Sequence, residues 1–320
     1  MSNTAVEMQN IRRTFGTGKD LTVAVDNLTL SVPRGSVYGL LGANGAGKTT
    51  SIRMMVSHLK PDSGFIRVLG EDPAKQTADR RRRIAYISEN MQIPRWMSME
   101  DAADFCKPLY PNWNEPLYQH LMKTFDLKPN QRYEEASKGQ RRAMCIIIAL
   151  SQEPEILIMD EPASGLDTLA RRHFLSELLK VTCDENKTVL FSSHILGDIE
   201  RTVDRVAILM RGKMVLEGEL DTLKERVRRI TFRTDGKAEY RLNDLAHLAG
   251  TPAFNTLRNI QERKSVQWVV TDFEAEKLAR LRESLPETVA VEVEGFNLEE
   301  LFMESIESGR DVGTTESPAI

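Results

Sequence analysis

Residues 42–49 read Gly-Ala-Asn-Gly-Ala-Gly-Lys-Thr, a combination of residue types suited to holding phosphate. The segment follows the apolar run Val37–Leu41 and precedes residues 50–59, which have helical character. Glycines let backbone N–H groups approach phosphate oxygens, and a helix N-terminus adds partial positive charge. Lys48 can reach the β- and γ-phosphates, and the Thr49 hydroxyl can hold Mg²⁺. The predicted phosphate-binding residues are Gly42, Asn44, Gly45, Ala46, Gly47, Lys48, Thr49 and Thr50.

A second candidate motif is the apolar run Ile156–Met159, which ends in the carboxylates of Asp160 and Glu161 and has a Walker B pattern. Asp160 would help to hold Mg²⁺ through its water shell, because Mg²⁺ favours oxygen ligands and keeps several waters. The Glu161 side chain points elsewhere and can polarise a water for attack on the γ-phosphate. Two carboxylates also occur at ordinary solvated strand ends, so this motif needs support from the rest of the chain.

Three further segments supply that support. Residues 133–142 (Tyr-Glu-Glu-Ala-Ser-Lys-Gly-Gln-Arg-Arg) precede an apolar helical run, and residues 164–167 (Ser-Gly-Leu-Asp) follow the two carboxylates. Residues 191–194 (Phe-Ser-Ser-His) end the next apolar strand. With these motifs in this order, residues 11 to about 220 resemble the ATP-binding subunit of an ABC transporter. A generic P-loop kinase or GTPase would not contain all of them.

The resemblance implies an ATPase that works as a dimer. In that family the signature motif contacts the γ-phosphate of ATP held by the opposite subunit, and the D-loop crosses the dimer interface. The matching residues are Ser137, Gly139 and Gln140 for the signature and residues 164–167 for the D-loop. Ser137, Gly139, Gln140 and Asp167 are therefore predicted to bind nucleotide. ATP binding would then close two subunits head to tail, and hydrolysis would open them.

The resemblance also implies roles for one histidine and one phenylalanine. His194 matches the switch histidine, which senses the γ-phosphate and steadies the attacking water, so Glu161 and His194 are the predicted catalytic residues. Phe15 lies where the family stacks an aromatic ring on adenine, a contact that needs only a π-face. Taken alone, such a histidine is more often simply packed or exposed, and such a phenylalanine often belongs to the core.

Two positions depart from the family pattern. The signature usually reads Leu-Ser-Gly-Gly-Gln, and here Ala136 and Lys138 replace its first and third residues. Glu89 stands where glutamine is usual, and either side chain offers an oxygen to Mg²⁺ or its water. Gln92, further along the chain, is an alternative candidate for the usual glutamine. The predicted cofactors are ATP and Mg²⁺, and the predicted metal ligands are Thr49, Glu89 and Asp160.

Bulk properties restrict the location and partners of the chain. A net charge of −4 argues against a nucleic-acid partner held by bulk electrostatics. Three cysteines without paired spacing and an N-terminus without a signal-peptide pattern predict a cytoplasmic protein. No apolar run approaches the roughly 20 residues of a membrane span. An integral membrane transporter subunit would therefore be a separate chain, with this one peripheral on the cytoplasmic face of the membrane.

The order of apolar runs predicts two domains. Residues 1–225 are predicted to form a parallel α/β domain, the P-loop NTPase fold of an ABC ATPase, with a helical insertion at about residues 91–140. Residues 226–308 are predicted to form a small α+β domain with strands at 230–233, 266–270 and 289–293 and helices at 273–285 and 298–306. Residues 309–320 are polar and predicted to be disordered.

The transport function has alternatives that the sequence leaves open. Residues 109–113 (Leu-Tyr-Pro-Asn-Trp) resemble a bacterial exporter subgroup, which favours export over import, and are a candidate docking patch for the membrane subunit. One alternative is a soluble ABC ATPase in translation or DNA maintenance. Another is a regulatory or resistance module that docks on a membrane protein without driving transport. The substrate, the choice between homo- and heterodimer, and the role of the C-terminal domain are not readable from the sequence.

Overall fold

A computed structural model of the chain describes residues 3–75, 77–185, 187–194, 200, 202–234, 254–261, 265–285 and 288–311. The chain divides into two compact units, Met1–Met214 and Val215–Ile320. The division falls within the strand Lys213–Glu219, ahead of the boundary at residue 225 that the sequence suggests.

The first unit contains both strands and helices. Its strands are β1 (Thr4–Phe15), β2 (Thr22–Pro33), β3 (Val37–Leu41), β4 (Ser63–Val68), β5 (Ile84–Ile87), β6 (Ile156–Met159), β7 (Thr188–Ser193) and β8 (Arg205–Met210). Its helices are α1 (Lys48–Met55), α2 (Ala78–Arg83), α3 (Met99–Cys106), α4 (Glu115–Thr124), α5 (Lys138–Ser151) and α6 (Thr168–Glu185). The strand that contains the division between the units is β9 (Lys213–Glu219).

A parallel sheet forms the centre of the first unit, with strands in the order β5-β6-β7-β3-β8. Every residue of β3, β6 and β7 is buried, as expected for strands covered on both faces. The register pairs Leu41 with Ser193 and Met159 with Phe191, so β3, β7 and β6 end at the same edge of the sheet. Whatever follows these three strands is therefore brought together.

The sequence pattern did not indicate a second sheet in this unit, which is antiparallel and has the order β2-β1-β4. Along β2, buried and exposed positions alternate, as expected when one face of a sheet is solvated. A single buried apolar cluster includes residues from this sheet, from α1 and from β3, β6 and β7. The cluster thereby fixes the loop between β3 and α1 against both sheets.

The helical insertion lies between β5 and α5 and contains α3 and α4. Ser98 caps α3 in a capping box with Asp101, and the Asn114 side chain caps α4. Ser137 caps α5 in a second capping box, this time with Gln140. Helix α5 is buried from Arg142 to Ser151, so it is held rigidly beneath the insertion.

The second unit contains an antiparallel sheet. Its elements are α7 (Leu220–Arg226), β10 (Arg228–Thr234), β11 (Thr256–Gln261), β12 (Ser265–Val270), α8 (Ala275–Glu283), β13 (Val289–Glu294) and α9 (Leu298–Asp311). The strand order is β11-β12-β10-β13. Leu278 and Leu281 of α8 pack with Ile230 and Phe232 in its core. The buried Glu304 of α9 binds Arg229 of β10 and an arginine of β11.

Helix α9 continues to Asp311, beyond the start of the tail predicted at 309–320, and residues 312–320 lie outside the described residues. Across the described part of the chain, no helix combines the length and apolar character that crossing a membrane requires.

Candidate active site

The loop between β3 and α1 takes the shape that its glycines allow. Gly47 caps α1 with φ +102°, and Gly45 has φ +80°, a region that favours glycine. A Cβ at Gly47 would lie 2.6 Å from the Ala24 carbonyl oxygen, and one at Gly42 would lie 2.7 Å from the Leu209 carbonyl oxygen. A Cβ at Gly45 would meet nothing within 4 Å. Packing therefore demands glycine at 42 and 47, whereas position 45 is open on its outer side.

This loop lines a cavity of about 620 Å³. Most of the residues predicted to bind nucleotide or catalyse its hydrolysis meet here: the lining comprises Phe15, Thr22, Val23, Ala24, residues 43–50, Glu89, Glu161, Ser164 and His194. Residues that follow four strands of the parallel sheet, β3, β5, β6 and β7, and residues of the antiparallel sheet thus contribute to one cavity.

Lys48 is buried and its ammonium binds three oxygens. Nζ donates to the carbonyl oxygens of Gly42 at 2.6 Å and Ala43 at 3.3 Å, and lies 3.4 Å from Glu161 Oε1. A buried charge needs such partners because its desolvation is costly. The lysine amine is therefore held at the mouth of the loop, where phosphate oxygens would lie.

Asp160 is buried at the end of β6 and its Oδ1 accepts two hydrogen bonds. Thr49 Oγ1 donates at 3.0 Å and Ser192 Oγ donates at 2.7 Å. The predicted Walker B carboxylate and the predicted P-loop hydroxyl are thus in direct contact. Ser192, on β7, was not predicted as a site residue.

Glu161 has an unusual backbone and two side-chain partners. Its φ is +48°, the left-handed region, which costs a residue with a Cβ about 1–3 kcal/mol. Its N–H donates to Ser192 Oγ at 2.9 Å, which helps to hold that conformation. The carboxylate lies between Lys48, on Oε1, and His194, whose Nδ1 is 2.8 Å from Oε2. Because an ionised carboxylate only accepts, Nδ1 of His194 carries the proton in this contact.

The predicted metal ligands, Thr49, Glu89 and Asp160, all offer side-chain oxygen atoms. Thr49 Oγ1 and Asp160 Oδ1 are in contact, and Glu89 lines the same cavity as Thr49. No group of three or more His, Cys, Asp or Glu side chains is arranged to hold a metal ion alone, among the residues that the structure describes. A hydroxyl and carboxylates that leave positions for water and phosphate suit Mg²⁺, which retains waters and binds phosphate oxygens.

Glu89, and not Gln92, lies at the loop cavity. Gln92 lines a separate cavity of about 380 Å³, together with Arg95, Lys138 and Arg141. Glu89 lines both cavities. Of the two candidates in the sequence, Glu89 is the one placed to reach a metal ion at the loop.

A second residue that the sequence analysis missed is Arg142 of α5. Its buried guanidinium donates to main-chain carbonyls of two loops, one after β5 and one after β6. Burial lowers the pKa of this guanidinium, an effect that the neighbouring Glu89 and Asp160 oppose. Arginine nevertheless remains charged, because its ordinary pKa is so high. Its five hydrogen bonds cross to residues distant in sequence, which is why no local pattern indicated it.

The signature residues and Asp167 of the D-loop line another cavity, whereas Ser164, at the start of the D-loop, lines the loop cavity. Ser137, Gly139, Gln140 and Asp167 line a cavity of about 160 Å³ that shares no residue with the loop cavity. Ser137 Oγ accepts the Gln140 N–H, and Gln140 Oε1 accepts the Ser137 N–H, so both side chains cap α5. A Cβ at Gly139 would lie 3.8 Å from Leu166 Cδ2, an ordinary contact, so packing within the chain does not demand glycine there.

Phe15 ends β1 at the outer side of the loop cavity. Its side chain is 42% exposed, and the Arg13 guanidinium carbon lies 4.9 Å from the ring centroid. The ring is thus neither part of the core nor isolated. It offers an aromatic face beside the loop, as the adenine-stacking hypothesis requires.

Comparison with known proteins identifies the family. A family model described as "ABC transporter" matches residues 25–164. The chain is 34% identical over 229 residues to the ABC transporter ATP-binding protein NatA of Bacillus subtilis (strain 168), covering 69% of this chain and 92% of that protein. It is 33% identical to Nod factor export ATP-binding protein I of Bradyrhizobium diazoefficiens, covering 70% of this chain and 73% of that one.

A solved structure shares the fold. The dimeric post-hydrolysis structure of the ATP-binding cassette MJ0796, bound to ADP and Pi, aligns with a TM-score of 0.60 and 21% identity. The alignment covers 67% of this chain and 98% of that one. This chain belongs to the ABC transporter ATP-binding proteins. It is an ABC ATPase subunit of a transporter, and the resemblance identified from the sequence motifs is confirmed.

Proposed function

We propose that this chain powers export of a substrate through ATP-driven closure of a dimer and hydrolysis-driven opening. The position of Glu161 carries the proposal. Its buried carboxylate faces the loop cavity with Lys48 Nζ at 3.4 Å and His194 Nδ1 at 2.8 Å. A carboxylate this close to the phosphate-binding lysine is placed to take a proton from water at the γ-phosphate. His194 orients that carboxylate and lies next to the same phosphate.

Nucleotide binding follows from the geometry of the loop. Backbone N–H groups of residues 43–50 and the Lys48 ammonium hold the β- and γ-phosphates, while Phe15 stacks on adenine. Thr49 and Asp160, together with Glu89 of the loop cavity, would hold Mg²⁺. When bound, this ion neutralises charge that develops on the phosphate oxygens. Asp160 is oriented for that role by the hydrogen bond from Ser192.

The separate placement of the signature residues supports a dimer. Ser137, Gly139 and Asp167 line a cavity distinct from the loop cavity, so we assign them to ATP held by a second subunit. The absence of a packing requirement for glycine at 139 fits a close approach by a phosphate group from outside the chain. In closure each γ-phosphate bridges two chains, and its hydrolysis removes the bridge. The dimeric neighbour with ADP and Pi supports this cycle.

A membrane partner would convert closure and opening into transport. We place this partner at the helical insertion, where Trp96 is 66% exposed and Phe105 is 65% exposed, with Leu109 also exposed. Exposed apolar side chains that form a contiguous patch mark interaction sites. The subunit would then lie on the cytoplasmic face of the membrane. The export direction rests on the relatives named Nod factor export ATP-binding protein I.

The substitution Glu161→Gln tests the catalytic assignment. We expect it to retain ATP binding by calorimetry, to lower turnover by on the order of 10²-fold or more, and to trap a dimer with ATP. Light scattering on a sizing column measures that dimer. The matched variant Lys48→Ala should instead lose ATP affinity and remain monomeric with ATP. A Glu161→Gln protein that hydrolyses ATP at the wild-type rate would refute the base assignment.

A pull-down tests the transport role. Tagged Glu161→Gln protein is recovered in mild detergent with ATP from membranes of the source organism, and its partners are identified by mass spectrometry. A stoichiometric multi-span membrane protein is the expected partner. Recovery with ribosomal or DNA-associated proteins from the soluble fraction would contradict transport and leave the ATPase cycle intact.

A further inference from the structure

The Arg142 side chain binds two loops, one after β5 and one after β6. It lies in the second turn of α5, the helix that begins after the signature residue Ser137, and it is buried. Each guanidinium nitrogen donates to at least one main-chain carbonyl. The bonds are Nε to Pro162 at 3.0 Å, Nη1 to Ser88 at 2.6 Å and Glu89 at 3.3 Å, and Nη2 to Asp160 at 3.3 Å and Glu161 at 3.2 Å.

Three of these carbonyls belong to consecutive residues, 160–162, which form the turn after β6. That turn contains Glu161 in its left-handed conformation, whose carbonyl also accepts the Ser164 N–H at 3.1 Å. The other two carbonyls belong to Ser88 and Glu89, in the loop that carries a predicted metal ligand. A planar fork of N–H donors fixes both loops relative to each other, which a flexible lysine amine would not do.

We propose that Arg142 is a positioning residue for ATP hydrolysis. It fixes the turn that aims Glu161 and the loop that aims Glu89, and it joins both to the helix of the signature motif. Ser137 caps that helix and Arg142 lies in its second turn, so a movement of the helix N-terminus reaches Arg142 through a few residues of rigid backbone. Engagement of Ser137 with nucleotide on a second subunit would thus reorient Glu161 in this one. The inference rests on the proposed function, because it takes Glu161 as the base.

The substitution Arg142→Met tests the proposal, with Arg80→Met as its matched control. Arg80 of α2 is also buried, and its Nη1 donates to a main-chain carbonyl, that of Pro73 at 2.6 Å, outside every motif of the site. A 1 Å misplacement of a catalytic group can cost roughly 10²-fold in rate. We therefore expect Arg142→Met to lower kcat on that order with unchanged ATP affinity by calorimetry, and Arg80→Met to leave both unchanged.

Combination with Glu161→Gln separates positioning from general loosening of the structure. If Arg142 acts through Glu161, adding Arg142→Met to Glu161→Gln changes the residual single-turnover rate little, because the two losses are not additive. Additive losses, or a lower ATP affinity in Arg142→Met, would overturn the proposal. If Arg142→Met does not fold, Arg142→Lys replaces it. We expect this variant to show a smaller loss of kcat, with unchanged ATP affinity and the same non-additivity with Glu161→Gln.

The two proposals fail in different ways. Wild-type turnover by Glu161→Gln would refute the base assignment, whatever Arg142 does. Loss of turnover in Glu161→Gln together with wild-type kcat in the folded Arg142 variant would refute only the positioning role.

Discussion

Replacing Ser192 with alanine removes one oxygen atom that joins the two Walker B carboxylate residues. Ser192 Oγ accepts the Glu161 N–H at 2.9 Å and donates to Asp160 Oδ1 at 2.7 Å. The side chain is 0% exposed, so bulk water does not reach either group at this point. The substitution therefore leaves a buried N–H without its acceptor and removes one of the two hydrogen bonds to Asp160 Oδ1.

The cost can be worked from these two contacts. An unsatisfied buried N–H costs about 1–3 kcal/mol, and a hydrogen bond to a charged group contributes about 1.5–3 kcal/mol. Asp160 retains its bond from Thr49 at 3.0 Å, so the second contribution lies at its lower end. We expect Ser192→Ala to lower the free energy of unfolding by about 2.5–4.5 kcal/mol. We also expect kcat to fall by roughly tenfold or more, because Glu161 loses the contact that holds its backbone.

Urea unfolding and steady-state ATP turnover measure the two effects, and hydrogen exchange at the Glu161 amide reports the local one. Ser151→Ala is the matched control: Ser151 is also 0% exposed, but its hydroxyl donates to Ile147 O at 2.7 Å within α5. Loss of this hydroxyl leaves no buried N–H without an acceptor. We therefore expect Ser151→Ala to lower the free energy of unfolding by about 1 kcal/mol and to leave turnover unchanged. Equal stability losses in the two variants, with unchanged turnover and unchanged Glu161 exchange in Ser192→Ala, would refute the reasoning.

Two further predictions concern the loop and acid stability. Gly47→Ala adds a Cβ 2.6 Å from the Ala24 carbonyl oxygen, at a backbone φ of +102°. The free energy of unfolding should therefore fall by more than the roughly 1–3 kcal/mol that backbone strain alone costs. The loss should also exceed that of Gly45→Ala, because a Cβ at position 45 meets nothing within 4 Å. Equal losses of unfolding free energy in the two glycine variants, measured by urea titration, would contradict this. Hydrogen bonds from Arg83 lower the pKa of Glu155 below its ordinary value of 4.5. The ionised carboxylate therefore stabilises the folded protein fully above pH 4.5, and this contribution is lost as the pH falls through the lowered pKa. Glu155→Gln should therefore lose less stability than wild type on acidification, and an unchanged pH dependence in urea titrations would refute it.

The sequence predicted the parts of the site that are local in the chain. A strand, a glycine-rich turn and a helix start follow one another within residues 37–55, so their spacing alone indicates the phosphate loop. The contacts of Ser192 and Arg142 join residues 31 and 54 positions away, and no local pattern encodes such distances. A serine in a buried strand and an arginine in a helix are also compatible with many environments. Their roles became visible only when the strand ends were brought together.

The fold was predictable to a similar extent. Continuous apolar runs indicated the parallel strands, because a strand buried on both faces has no polar positions. The antiparallel sheet was missed because β1 contains polar residues and pairs with β4, whose residues lie far away in sequence, as in Met8 with Ile66. Strand β11 was missed for a related reason: Thr-Leu-Arg-Asn-Ile-Gln has only two apolar residues and forms an edge.

The contact between Lys48 and Glu161 implies an order of events. The ammonium that lies 3.4 Å from Glu161 Oε1 is the group that we propose binds phosphate, and it cannot satisfy both partners fully. Under the proposed mechanism, arrival of nucleotide draws Lys48 away from the carboxylate, so that Glu161 becomes available as a base only when ATP is bound. The substrate itself would then complete the catalytic site, and the ion pair with Lys48 would keep the carboxylate from acting without it.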